Sequence, residues 1–218
     1  MKLHLFDLDG TLLDSVKADD ACFIQAFYDL YEIDLSQANW NEFTHVTDSG
    51  LFQEIFEKGR GRSPLAEELA AFKDLFFQLL AKRSAQFRAI PGALAYLQFL
   101  EKTEGQALAF ATGGWRHTAL LKTHSVGFAL ENYVLKTADD HISRTDIMRA
   151  AMEAALAQNQ LDFFREVVYY GDGLWDLRAT NDLGLDFIGV DHHQKGELAS
   201  AGVQTVIRDF RELLSRSV

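Results

Sequence analysis

From Pro91-Gly92 onward, short apolar runs alternate with segments of helical spacing, and few folds accommodate that pattern. The runs fall at 107–111, 133–135, 167–170, 187–190 and 205–207. Helical patterns occupy 93–103, the stretch from about Gly114, an alanine-rich segment at 145–159, the stretch from Leu174, and a short piece before Thr205. Apolar strands without a polar face are buried on both sides, and parallel neighbours need a crossover that a helix supplies. The alternation predicts a doubly wound α/β parallel sheet. Lys2–Phe6 adds one further strand near the start of the chain.

A different pattern separates that first strand from the rest. Phe23, Ile24, Phe27, Leu30 and Tyr31 recur at helical spacing. Ser36 and Asp48 are expected as N-caps, Gly59 as a helix end, and Pro64 in the first turn of a helix carrying Phe72, Leu75, Phe76 and Leu79. No strand is expected here. The predicted organisation is an α/β core of residues 1–14 and 87–218, interrupted by an all-helical insert at 15–86.

Composition narrows the function. Hydrophobic residues make up 48% of 218, enough for a sizeable core. The formal charge of −11 with no basic run argues against nucleic acid or an anionic membrane surface as partner. Cys22 is the only cysteine, which excludes an internal disulfide, and its apolar setting predicts packing. The apolar start is cut by His4, Asp7 and Asp9, unlike a secretory signal, and no apolar stretch is long enough to span a bilayer. A cytoplasmic location is the expectation.

In open α/β sheets ligands bind outside the carboxyl ends of the strands. The residues just after the strands are therefore the ones to inspect. Asp7 and Asp9 follow the first strand, two apart in extended chain, and leave it on one face. Two carboxylates so close need a shared proton or a cation, and oxygen-only ligands suit a hard ion such as Mg²⁺. Gly10 permits a sharp turn and Thr11 adds a hydroxyl. Asp172 closes a later strand and Asp176 follows one helical turn on; the pair either joins the acids or caps the next helix. Thr112-Gly113-Gly114 offers a hydroxyl and backbone N–H groups to a phosphoryl oxygen, or is a plain turn.

Together these residues resemble a known family. The run Asp7-Leu8-Asp9-Gly10-Thr11-Leu12-Leu13-Asp14-Ser15 is similar to the signature of the haloacid dehalogenase superfamily. Thr112 resembles its second motif, and Gly171-Asp172 through Asp176 its fourth. The helical insert resembles the C1-type cap of phosphoglycolate phosphatase-like members. The third motif usually carries a lysine, often followed by proline. Here Arg144 stands at the matching position without a proline, and Lys136 is the nearest alternative.

The resemblance implies a Mg²⁺-dependent phosphatase acting on a small phosphorylated metabolite. Asp7 would attack phosphorus, and Asp9 would protonate the leaving alcohol and then deprotonate water. Asp7 and Asp172 would hold the metal with the backbone carbonyl of Asp9, supported by Asp176. Thr112, Gly113 and Gly114 would hold the phosphoryl group beside Arg144. A phosphomutase, a phosphonate hydrolase using Lys17 or Lys58, and a non-catalytic binding module are the alternatives; dehalogenation has no use for Asp9.

Other candidates are open to two readings each. His45, Thr47 and Asp48 face the substrate or mark a helix boundary. Lys58, Arg60 and Arg62 bind a second anion or lie in a solvated loop. Arg116 and His117 reach the site or lie on a helix surface, and Trp175 is expected to pack its helix onto the sheet.

Overall fold

The computed structural model describes residues 1–216. Eight strands and nine α-helices follow one another as β1 (Lys2–Phe6), β2 (Leu13–Asp14), α1 (Val16–Tyr31), α2 (Asp48–Arg60), α3 (Ala66–Ala81), β3 (Arg88–Ala89), α4 (Ala93–Lys102), β4 (Gln106–Ala111), α5 (Arg116–Ser125), β5 (Val134–Lys136), α6 (Arg144–Asn159), β6 (Glu166–Gly171), α7 (Leu174–Leu183), β7 (Asp186–Val190), α8 (Glu197–Ser200), β8 (Val206–Ile207) and α9 (Arg211–Arg216). Six strands form one parallel sheet in the order β5-β4-β1-β6-β7-β8. The α/β expectation holds, with β1 at the centre.

Both faces of that sheet are dry, as its apolar strands require. On one face His4 and Phe6 of β1, Phe110 of β4 and Tyr170 of β6 meet α4 through Tyr96, Leu97 and Leu100. On the other, Leu3 and Leu5 meet Ala107, Ala109 and Tyr169, and α6 lies on them through Ile147, Met148, Ala151 and Ala155. Alanines on both sides of that contact let the helix approach closely. His4, at the middle of β1, is buried and bonded to the Tyr170 hydroxyl and to Gln106, each at 2.8 Å. Burial holds its pKa down near 4.

The helices between Ser15 and Gln86 build a separate apolar cluster. Phe72 is its hub, with ring centroids of Phe27, Phe52 and Phe23 at 4.5, 4.9 and 5.1 Å. Truncating such a side chain to alanine costs about 3–5 kcal/mol. Trp115, from the loop after β4, is fully buried in the same cluster, as is Cys22, which is packing. A two-residue antiparallel pairing of β2 with β3 stands where the chain leaves and re-enters the sheet; runs that short carry no periodicity to read.

Several helix ends differ from expectation. The N-cap of α2 is Thr47, whose hydroxyl accepts from Gly50 N–H, while Asp48 is the first helical residue. Gly59 lies inside α2 against Ile33, and Gly61, at φ +69°, ends the helix. Pro64 precedes α3, which opens at Ala66 after Glu68 takes the Leu65 N–H. No helix starts at Ser36, whose N–H is held by Asp34 in a local turn.

Candidate active site

Strand β1 delivers Asp7 to the carboxyl edge of the sheet. The Asp7 N–H donates to Tyr170 O at 3.0 Å, extending the strand pairing by one residue. The chain then coils back on itself, with Gly10 N–H donating to Leu13 O and the N–H groups of Leu12 and Leu13 to Leu8 O. Gly10 is essential to that turn. It has φ +80°, and a Cβ there would lie 2.0 Å from Asp172 Oδ2.

Asp7, Asp172 and Asp176 converge, with one carboxylate oxygen of each within 4.8 Å of the others. Their partners differ. Asp176 Oδ2 accepts the N–H groups of Gly173 (3.0 Å) and Asp172 (3.2 Å), while Oδ1 meets Tyr169 OH (3.1 Å) and Arg144 Nη1 (3.0 Å). It therefore caps α7 and faces the acids at once, so both sequence readings hold. Asp7 Oδ1 lies 3.2 Å from Arg144 Nη1. The Asp172 carboxylate has no ion-pair partner among the described residues.

Among three converging acids, one guanidinium thus pairs with two. Burial, opposed by Arg144, pushes the Asp7 carboxyl up to about 7. Burial, reinforced by Asp176 and Asp7, pushes Asp172 well above the carboxylate range. That excess of negative charge on three converging carboxylates fits a small hard cation. The Asp9 carboxylate is not part of the trio: it turns to Ser15 Oγ and Lys122 Nζ, each at 2.5 Å, leaving only its backbone carbonyl for the metal role the resemblance implies.

Arg144, not Lys136, is the cation beside Asp7. It opens α6, and besides the two acids it reaches Tyr169 OH (3.3 Å) and Val46 O (3.2 Å). Its Nε is buried with no hydrogen-bond partner among the described residues. A Cβ on Gly113 would lie 2.3 Å from Arg144 Nη2, so glycine is what lets the guanidinium pass. Lys136 pairs with Asp140 at 3.1 Å, away from Asp7.

The cavity over these residues holds about 100 Å³ and is walled from two sides. Asp7, Asp9, Thr112, Gly113, Gly114, Arg144, Asp172 and Trp175 come from the loops at the sheet edge. Asp19, Asp20, Phe23, Trp40, Thr47 and Asp48 come from the helical segment. Thr47 and Asp48 mark the start of α2 and also line the cavity. Thr47 Oγ donates to Ile142 O, the Asp48 N–H donates to Gly113 O (2.7 Å), and Asp48 Oδ2 accepts from Trp115 N–H (2.8 Å). His45 lies outside this cavity, in a separate surface groove with Glu54 and His141. Trp175, expected to pack its helix onto the sheet, is half-buried, belongs to none of the three apolar clusters and lines the cavity instead. Arg116 bonds Leu135 O and Asp139, and His117 lies beside Lys73 O; neither lines it. Lys58 pairs with Glu54, Arg60 with Tyr31 O, and Arg62 with Glu68, so the basic cluster is satisfied within the helices.

The model of the family described as haloacid dehalogenase-like hydrolase matches residues 4–190. This chain belongs to that family. The hydrolase is an enzyme with the expected core, and among its described residues no helix is long and apolar enough to cross a membrane. A hydrolase from Pseudomonas syringae is 25% identical with a TM-score of 0.77, covering 99% of each chain. CbbY from Rhodobacter sphaeroides, solved with phosphate, is 21% identical at TM-score 0.74, covering 97% of this chain and 95% of that one. A putative phosphoglycolate phosphatase from Lactobacillus plantarum is 17% identical at TM-score 0.65, covering 98% and 97%. No curated protein sequence matches the hydrolase.

Tyr169, Asp19 and Lys122 escaped sequence reasoning, as did Asp20 and Trp40 on the cavity wall. Tyr169 donates to Ala111 O and Asp176 from within β6. Asp19 and Lys122 form an ion pair at 2.6 Å, with Lys122 also on Asp9. No sequence signal marked Lys122: α5 buries Thr118, Ala119, Lys122 and Thr123 while the apolar Leu120 and Leu121 are only partly buried, the reverse of what hydrophobicity predicts.

Proposed function

We propose that this hydrolase is a Mg²⁺-dependent phosphatase for a small phosphomonoester, acting through a phosphorylated Asp7. The observation that supports it most is Asp7 itself: a carboxylate at the tip of β1, between Arg144 and Asp172, opening into a cavity edged by Thr112, Gly113 and Gly114. Asp7 Oδ bonds to phosphorus as the ester P–O bond breaks, and the departing oxygen takes a proton from Asp9. Water then gives a proton to the Asp9 carboxylate while its oxygen bonds to phosphorus and the bond to Asp7 breaks. Arg144, already beside Asp7, orients the nucleophile and meets charge developing on the phosphoryl oxygens. Thr112 and the loop N–H groups complete the cradle.

Mg²⁺ would be held by the side chains of Asp7 and Asp172 and the backbone carbonyl of Asp9, with Asp176 steadying the surrounding loop. Bound there, it supplies positive charge that lets an anionic nucleophile approach an anionic ester. We assign residues 15–86 as the cap that reads the leaving group. Its part of the cavity offers Asp19, Asp20 and Asp48 with Phe23 and Trp40, and Lys58, Arg60 and Arg62 are turned elsewhere. That lining disfavours a leaving group bearing a second anion and suits an uncharged one. Lys17 and Lys58 do not line the cavity, which weighs against imine-forming phosphonate cleavage.

A screen of phosphorylated metabolites for phosphate release, with and without Mg²⁺, tests the reading. Release from at least one aliphatic ester, lost in Asp7→Asn, is expected. Absence of release from every ester would remove it.

A further inference from the structure

We propose, on the reading of Asp9 given above, that Lys122 is a positioning residue that fixes the Asp9 carboxylate and ties it to α1. Lys122 projects from α5 and its side chain is 1% exposed. Its ammonium lies 2.5 Å from Asp9 Oδ2, beyond β1, and 2.6 Å from Asp19 Oδ1, on α1. Ser15 Oγ donates to the other Asp9 oxygen at 2.5 Å. Lys122 thus joins two acids that lie 113 and 103 residues before it in the chain, and both oxygens of Asp9 are held.

A buried ammonium persists only when its charge is paired. Asp9 at 2.5 Å and Asp19 at 2.6 Å supply that pairing, so the ammonium stays charged. It is no nucleophile. Without it, the carboxylates of Asp9 and Asp19 would face each other in a poorly hydrated space, and Asp9 would swing away from its present direction. Proton transfer needs the donor within about 2.6–3.2 Å of the accepting oxygen. A displacement of about 1 Å costs on the order of 10²-fold in rate. Because Asp19 belongs to a wall of the cavity that contacts the leaving group, Lys122 also makes the position of Asp9 depend on how that wall is seated.

Proton donation matters for an alkoxide leaving group and little for p-nitrophenolate, which departs unprotonated. The experiment therefore compares kcat/KM for p-nitrophenyl phosphate and glycerol 2-phosphate in the native chain, Lys122→Met and Asp19→Asn, with melting curves for each. Lys122→Met is expected to lose about 10²-fold on glycerol 2-phosphate while changing little on p-nitrophenyl phosphate. Asp19→Asn, which leaves the lysine charged and on Asp9 but loosens its anchor, is expected to show the same split at smaller size. It decides the matter if Lys122→Met does not fold. An equal fall on both esters, or no fall on either, overturns the positioning role while leaving the phosphatase reading intact. Native turnover of p-nitrophenyl phosphate but of no aliphatic ester would show that Asp9 delivers no proton, and would overturn it too. Where the native chain turns over neither, the aliphatic ester hydrolysed in the metabolite screen takes the place of glycerol 2-phosphate, and release from no ester at all would remove the phosphatase reading and this role with it.

Discussion

Arg144 Nη1 stands 3.2 Å from Asp7 and 3.0 Å from Asp176, bridging the first strand to the helix after the sixth. A lysine at this position would bring one point charge, whereas the guanidinium also reaches Val46 O and Tyr169 OH. Arg144→Ala is expected to lower kcat by about 10²–10³-fold, the usual loss of a preorganised charge at a reacting centre. Lys136→Ala should stay within a few-fold by the same measure, since its partner is Asp140. Steady-state kinetics of the two variants check this, and the reverse order would move the third motif to Lys136.

Asp7→Asn should abolish turnover while keeping the fold. The amide fills the same space and can still approach Asp176 and Asp172, but it cannot attack phosphorus. Circular dichroism and phosphate release measured on one sample separate loss of chemistry from loss of structure.

Chelation should silence the enzyme and Mg²⁺ should restore it. The native state should also gain about 2.7 kcal/mol at Mg²⁺ a hundredfold above its dissociation constant, seen as a raised Tm. Asp172→Asn should remove that rise and, in chelator, melt above the native chain, because one of three crowded acids is gone. An unchanged Mg²⁺ effect in Asp172→Asn would exclude it from the metal site.

Gly10→Ala joins two costs: a positive φ and a Cβ at 2.0 Å from Asp172 Oδ2. We expect about 1–3 kcal/mol of lost stability and a displaced Asp172 with weaker Mg²⁺ response. Gly61→Ala, at φ +69° with nothing near its Cβ, isolates the backbone part of that cost. Chemical denaturation of both variants gives the comparison.

His4 makes stability fall with acid. Its folded pKa is depressed to about 4 by burial, so the folded state keeps it neutral while the unfolded chain takes up a proton near the usual 6.5. The contribution is present above pH 6.5 and is lost progressively as pH falls from there towards 4, by about 3 kcal/mol in total. His4→Gln should flatten this part of the stability–pH profile measured by urea unfolding.

Local order carried much of this protein. Apolar runs after Pro91 and the helical spacing of Phe23, Phe27, Phe72 and Phe76 set which segments become buried strands and which become helices, because burial periodicity is a property of neighbours in the chain. The acid pair at Asp7 and Asp9, and the later Asp172 and Asp176, announced themselves by standing where strands stop. Tertiary structure decided the rest. Whether Asp9 faces the metal acids or Lys122, whether Arg144 or Lys136 meets Asp7, and whether Asp48 caps a helix or holds the loop at Trp115 all depend on residues tens of positions away. Lys122 shows the reason most clearly. A lysine in an amphipathic helix reads as solvent-facing, and only the convergence of Asp9 and Asp19 on one point supplies the charge that lets it be buried.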